Sequence, residues 1–116
     1  MLERTLDNNE RLAVYGSLLS ERQRQVMMDY FWYDLSLNEI AEKRNVTKQA
    51  VSDNIRRAEC HLEEMEKVLQ IISKREHLQE VVRKITQVLD VLNEKLTPED
   101  QELVNEIKRN LNEVSL

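Results

Sequence analysis

The stretch LNEIAEKRNVTKQAVSDNIRR, from Leu37 to Arg57, decides the fold. Its apolar residues form two stripes at helical spacing, separated by a polar break at residues 43–45. The first stripe is Leu37, Ile40 and Ala41, and the second, which continues past Arg57, is Val51, Ile55, Ala58 and Leu62. The pattern predicts two short amphipathic helices that share one core and are joined by a tight turn, which is a helix-turn-helix.

Capping residues place the start of both helices. Ser36 followed by Glu39 is a capping box, in which each side chain accepts a hydrogen bond from a backbone N–H of the first turn. The first helix is therefore expected to begin near Leu37. Thr47 is a good N-cap for the second helix, because its hydroxyl can accept from an N–H of the next turn. The second helix is expected to begin near Lys48.

The outward face of the second helix is the predicted nucleic-acid interface. Because the apolar stripe turns inward, a period of about 3.6 residues directs a set of polar side chains to solvent. Glutamine can bind adenine and arginine can bind guanine in the major groove, whereas basic residues at the edges meet phosphates. The predicted interface consists of Thr47, Lys48, Gln49, Ser52, Asp53, Arg56 and Arg57. The alternative is a turn motif that only packs, and Asp53, which can accept from cytosine, can equally repel the DNA backbone.

The composition indicates an all-α protein with a modest core. The 116 residues include one Gly and one Pro, and charged residues make up 34% against 4% aromatic residues. The net charge of −5 argues against broad affinity for nucleic acid, because binding phosphates needs a basic footprint. We expect a helix-turn-helix domain at residues 1–62 and a helical extension for dimerisation or partner binding at residues 63–116.

Several classes of function lack support in the sequence. No apolar run approaches the roughly 18 residues that span a bilayer, and the N-terminus has no signal peptide, so a cytoplasmic protein without membrane insertion is expected. Cys60 is the only cysteine, and His61 and His77 lack further ligands, so neither a metal nor a cofactor is expected. Without a phosphate-binding loop, a catalytic triad or paired carboxylates, the chain is predicted not to be an enzyme.

Two further features precede the helix-turn-helix. An N-terminal helix is expected to end at Gly16, a residue that can take the left-handed conformation of a C-cap. Ser20 and Gln23 form a second capping box, which opens the helix before the motif. The aromatic run at residues 30–33 could stack on bases, but its place at a helix end favours a plug in the core.

The second helix of the motif is predicted to continue to about Ile72, where the phase of its stripe breaks. A third capping box, Ser73 with Glu76, indicates a new helix start at that point. A heptad pattern follows, which is typical of a helix that packs along another helix. The seam residues are Leu78, Val82, Ile85, Leu89, Leu92 and Leu96.

A last helix is predicted after Thr97 and Pro98, which suit the N-cap and first helical positions. This helix is expected to bury its apolar residues Leu103, Ile107 and Leu111. The two C-terminal helices could form a hairpin within the chain or a seam between chains. A homodimer is favoured, because Val81, Val88 and Val91 widen the heptad stripe beyond what one neighbouring helix covers.

Three segments resemble one family of small bacterial proteins. They are YGSLLSERQ at 15–23, DYFWYDLSLNEIAE at 29–42 and VTKQAVSDNIRRAE at 46–59. The sequence looks like the YlxM (p13) family, and its middle is similar to region 4 of sigma-70-type factors, the helix-turn-helix that reads a promoter element. Members of this family are encoded beside the genes for the signal recognition particle GTPase.

The resemblance and the residues together give two hypotheses. The first is a non-enzymatic helix-turn-helix regulatory protein in the signal recognition particle pathway of protein export, with the particle's GTPase or its RNA as partner. The alternative is a sequence-specific transcription regulator that binds duplex DNA as a homodimer, with half-sites about 34 Å apart.

Overall fold

The computed structural model describes residues 2–114, with side chains from Arg4 onward, and all regular secondary structure in this range is helical. The helices are α1 (Leu2–Tyr15), a short 3-10 helix (Gly16–Leu18), α2 (Glu21–Phe31), α3 (Leu37–Arg44), α4 (Lys48–Leu69), α5 (Ile71–Asn93) and α6 (Pro98–Val114). No strand occurs between residues 2 and 114, so the all-α prediction is confirmed. Within that range, no helix combines the length and the hydropathy needed to cross a membrane.

The chain forms two compact units, Met1–Ile72 and Ser73–Leu116. The division expected from the sequence, after residue 62, falls within α4, which continues unbroken to Leu69. That expected division separates two roles, a helix-turn-helix and a partner-binding extension, and it stays a prediction.

The core of the first unit is built around α4. All four residues of its predicted stripe, Val51, Ile55, Ala58 and Leu62, are buried. Helices α1, α2 and α3 each pack against α4, and Ile40 and Ala41 of α3 reach the same core. Burying one aliphatic side chain contributes about 1.5–3 kcal/mol, so this shared core fixes how the two helices of the motif cross.

Helix α1 ends at Tyr15, one residue before the predicted end. The left-handed conformation predicted for Gly16 is wrong. Among the described residues no glycine has a positive φ, and Gly16 lies buried in the 3-10 helix. A Cβ atom at this position would lie 3.2 Å from Cδ1 of Leu12. The lack of a side chain therefore serves close packing on Leu12 and not a left-handed cap.

The aromatic run at the end of α2 contributes only one of its four rings to the core. Phe31 packs against the core, and its ring contacts that of Tyr30 edge to face, with centroids 5.0 Å apart. Tyr30, Trp32 and Tyr33 are exposed. Because α2 ends at Phe31, the chain turns away from the core and carries the following rings into solvent.

The break between α4 and α5 lies earlier than predicted. Helix α4 ends at Leu69, Gln70 takes the left-handed conformation with φ 54°, and α5 begins at Ile71. Ser73 therefore lies inside α5, and the expected capping box of Ser73 with Glu76 does not start this helix.

Side chains from α1 and α4 replace that local cap. The backbone N–H of Ile71 donates to the Tyr15 hydroxyl at 3.1 Å, and the N–H of Ile72 donates to Oε1 of Glu66 at 2.9 Å. The Tyr15 hydroxyl in turn donates to Glu66 Oε1 at 2.8 Å. Burial and this hydrogen bond raise the pKa of Tyr15, so its hydroxyl keeps its proton at neutral pH. Two otherwise orphan N–H groups at the start of α5 are satisfied in this way.

In the second unit, α5 and α6 form an antiparallel hairpin. Nε2 of Gln101 donates to the backbone oxygen of Asn93 at 2.9 Å, and Lys108 forms an ion pair with Asp90. The N-cap predicted at Thr97 is present, since its hydroxyl accepts from the N–H of Asp100 at 3.4 Å.

The apolar residues that are buried in the hairpin differ from those that the sequence predicted to be buried. In α6 the buried residue is Val104, whereas Leu103 is 60% exposed, Ile107 is exposed and Leu111 is half-buried. The predicted heptad seam is split as well. Val82, Leu89 and Leu96 are half-buried, while Leu78, Ile85 and Leu92 are exposed. Leu96 lies in the loop beyond the end of α5. The six predicted seam residues therefore do not form one buried stripe, because they are divided between a half-buried side of α5, an exposed side of α5 and this loop.

Candidate nucleic-acid interface

The start of α3 is fixed by the predicted capping box. The Ser36 hydroxyl accepts from the N–H of Glu39 at 3.1 Å, and Oε1 of Glu39 accepts from the N–H of Ser36 at 3.1 Å. The hydrogen bond from the Ser36 backbone, and then the interaction of the Glu39 carboxylate with the Ser36 hydroxyl, hold the pKa of Glu39 below its usual value. The carboxylate is therefore ionised at neutral pH and suits the positive end of the helix dipole.

The turn between α3 and α4 has a defined hydrogen-bonded geometry. Asn45 is left-handed, with φ 54° and ψ 48°, which an asparagine tolerates better than most residues. The N–H of Val46 donates to the carbonyl of Ala41 at 3.0 Å, which closes the end of α3. The hydroxyl of Thr47 then accepts from the N–H of Ala50 at 3.0 Å, which caps α4. The predicted starts of both helices, at Leu37 and Lys48, are confirmed.

A buried carboxylate joins the end of α3 to α2. The side chain of Asp29 is only 2% exposed, and its Oδ1 lies 2.9 Å from Nζ of Lys43. Its Oδ2 accepts from Arg44 Nε at 2.7 Å, and Arg44 also donates to Oε1 of Gln25 at 2.8 Å. Burial alone would raise the pKa of Asp29, but the hydrogen bonds and charges of Arg44 and Lys43 outweigh burial and hold that pKa below its usual value.

The helical periodicity of the sequence did not predict this ion-pair cluster. Asp29 stands three residues after Val26 on the buried face of α2, a position where an unpaired carboxylate would be strongly unfavourable. An acid on an apolar face, together with two adjacent basic residues at the end of the next helix, is the signal that could have found it. The cluster uses Lys43 and Arg44 to hold the motif together, so these two charges serve structure first.

The predicted interface residues lie together along the first three turns of α4. Lys48, Gln49, Ser52, Arg56 and Arg57 are exposed, and Asp53 is half-buried. Thr47 is exposed too, but its hydroxyl is occupied by the helix cap. The geometry thus collects these side chains on one solvent-facing surface, here called the α4 face. Their contact with nucleic acid stays a prediction.

Asp53 organises the centre of the α4 face. Its Oδ1 accepts from Nε2 of Gln49 at 3.2 Å and from the guanidinium of Arg56 at 3.3 Å. Both candidate base-reading side chains are therefore held by one carboxylate oxygen, one turn before and one turn after it. A ligand that engages Gln49 and Arg56 must exchange these weak exposed bonds for its own, at small cost.

The charges of the α4 face differ from those of the whole chain. Lys48, Arg56 and Arg57 are positive and Asp53 is negative, so the face has an excess of positive charge in a chain of net charge −5. The lysine and the two arginines span roughly two and a half turns, or about 14 Å at 1.5 Å per residue. This spacing suits contact with phosphates on both sides of a groove.

Other chemistry has little geometric support in the described residues. The side chains of residues 4–114 contain no group of three or more His, Cys, Asp or Glu that could hold a metal ion. Cys60 and His61, adjacent on α4, are both exposed.

Comparison with a family model assigns almost the whole chain to one group. Residues 2–104 match the UPF0122 model, described as "Putative helix-turn-helix protein, YlxM / p13 like". The resemblance of the three sequence segments to the YlxM (p13) family is therefore confirmed.

Individual relatives extend the match. The UPF0122 protein of Halalkalibacterium halodurans is 43% identical over 90 residues, which cover 78% of this chain and 83% of that protein. A UPF0122 protein of Bacillus mycoides is 41% identical over 109 residues, which cover 94% of this chain and 98% of that protein.

Proposed function

Because the chain belongs to the UPF0122 family of YlxM / p13-like helix-turn-helix proteins, we propose that it is a non-enzymatic regulatory protein that binds duplex DNA through the α4 face. The observation that carries the proposal is the exposed, positively charged α4 face itself. It stands on a helix whose start, turn and core are fixed by caps, by the Asp29 ion pairs and by buried aliphatic residues.

The roles of the side chains follow from their chemistry. Gln49 and Arg56 point from the centre of the face and can make paired hydrogen bonds to adenine and guanine edges. Lys48 and Arg57 lie at its borders and neutralise phosphates, which positions the helix without reading sequence. Ser52, between the two readers, is short enough to let the helix backbone approach the bases.

Selection of bound sequences from a random duplex pool tests the reading role. The wild-type protein should enrich a preferred sequence, and Gln49→Ala combined with Arg56→Ala should abolish the preference. Lys67→Ala, an exposed basic position in the last turn of α4, is the matched control and should leave the preference unchanged. Unchanged enrichment by the double variant would refute the assignment of the reading residues.

A second candidate function is an adaptor in protein export that binds the signal recognition particle GTPase or its RNA complex. The net charge of −5 favours it, because an acidic surface suits a basic protein partner better than it suits phosphates. A pull-down at low salt should then recover the GTPase or the particle RNA. Recovery of neither component, with sequence selection of duplex DNA intact, would reject the adaptor and leave the DNA-binding proposal standing.

A further inference from the structure

Helix α5 has a second apolar face that α6 does not cover. Five residues at alternating spacings of three and four lie on it, all exposed. They are Leu78, Val81, Ile85, Val88 and Leu92. The C-terminal half of this face borders an open apolar groove, whose lining includes Lys84 and Lys95.

Helix α6 also has an uncovered apolar face. Leu103, Ile107 and Val114 are exposed and recur at spacings of four and seven residues, so they share one stripe of the helix. Acidic residues follow one edge of this stripe. They are Glu99, Glu102, Glu106 and Glu113.

The two apolar faces of each helix are about 100° apart. On α5, Asn93 contacts α6, and Val82, Thr86 and Leu89 share its side of the helix, whereas the exposed stripe lies on the adjacent side. On α6, the buried Val104 follows the exposed Leu103 by one residue, which is a rotation of about 100°. Because the helices are antiparallel, both exposed stripes lie on the same side of the hairpin.

Two neighbours at about a right angle are what each helix of a four-helix bundle requires. The α5–α6 hairpin supplies only one neighbour to each of its helices. We propose that two copies of the hairpin close into a two-fold symmetric four-helix bundle, in which α6 of each copy packs into the α5 groove of the other.

Charge decides which helices pair across the two copies. A two-fold axis parallel to the helices keeps the register that the Asp90–Lys108 ion pair sets within each hairpin. In that register Lys95 lies beside Glu102 of the second copy, and Lys84 lies beside Glu113 of the second copy. The other closed arrangement, α5 on α5, would place the lysine edges of the two grooves together and is disfavoured by repulsion.

The mass of the full chain in solution tests the bundle. Sedimentation should give twice the chain mass of 13.8 kDa for the wild type. Val88→Glu should give the mass of one chain. Its helicity should be unchanged, because Val88 is 67% exposed and its replacement leaves the hairpin fold intact. Val68→Glu on α4, where the valine is 80% exposed, is the matched control and should stay dimeric. A monomeric wild-type protein, or a dimeric Val88→Glu protein, would overturn the proposal.

Pairing of α5 with α6 is tested separately by charge reversal and cross-linking. Lys95→Glu and Glu102→Lys should each weaken dimerisation by about fivefold, and the two changes together should restore it. In a Cys60→Ser background, a chain with Val88→Cys mixed with a chain with Ile107→Cys should form a mixed disulfide dimer faster than either chain alone. Preferential cross-linking between two Val88→Cys chains, or no recovery by the double reversal, would overturn this arrangement. The bundle goes beyond the proposed function, and because these assays contain no nucleic acid, their failure would leave the α4 proposal untouched.

Discussion

Replacing Asp29 by asparagine should destabilise the helix-turn-helix without changing its shape. The variant keeps the size of the side chain but removes the charge that pairs with Lys43 and Arg44. Breaking a buried ion pair costs about 3–5 kcal/mol when the remaining charge stays buried. Here the side chains of Lys43 and Arg44 are 52% and 24% exposed and can return to water, so we expect a loss of about 2–3 kcal/mol. For a chain of this size the loss corresponds to a fall in Tm of about 8–12 °C.

The pH dependence of this loss identifies its cause. Since the pKa of Asp29 is depressed in the folded state, its contribution is complete above the unfolded pKa of about 4 and disappears as the pH falls through the folded value. Thermal unfolding of wild type and variant should therefore differ by a constant amount from pH 8 to about pH 5, and the difference should begin to shrink below about pH 4 and vanish once the pH is below the folded pKa. Asp34→Asn, at an exposed aspartate, is the control and should change stability by less than about 0.5 kcal/mol. A difference that persists unchanged at low pH would refute the ion-pair explanation.

Two further variants test the hydrogen bonds that position the motif and the start of α5. Thr47→Ala removes the N-cap of α4 and should lower stability by about 1 kcal/mol in chemical denaturation, whereas Thr47→Ser should retain most of it. Tyr15→Phe leaves the N–H of Ile71 without its acceptor and should cost about 1–3 kcal/mol. Hydrogen exchange should show that this variant loses protection first at the Ile71 amide, and unchanged protection there would contradict the capping role of Tyr15.

The features that sequence reasoning predicted well are local ones. The stripe from Val51 to Leu62 and the capping residues Ser36 and Thr47 depend on neighbours within one or two turns, so the sequence holds the whole of the relevant information. For the same reason the exposed positions of Lys48 and Arg57 follow directly from the helix period.

The features that were mispredicted or missed depend on distant partners. The start of α5 is capped by Tyr15, 56 residues before Ile71, and it lies two residues before the predicted start at Ser73. Asp29 finds its partners 14 and 15 residues later. Gly16 is the exception, because its neighbour Leu12 is only four residues earlier, but the close packing between the two leaves no periodic signal in the sequence. Periodicity cannot reveal such pairs, because it reports which face of a helix is apolar and not what lies against it.

Salt-dependent binding to duplex DNA is the decisive measurement for the proposal that the α4 face binds nucleic acid. A plot of log affinity against log salt should have a negative slope of about 0.9 for each phosphate contact. Lys48→Ala and Arg57→Ala should each weaken binding to all duplexes alike and reduce that slope by about one, while Lys67→Ala leaves it unchanged. Binding without salt dependence, or slopes that neither variant alters, would show that the α4 face is not the nucleic-acid interface.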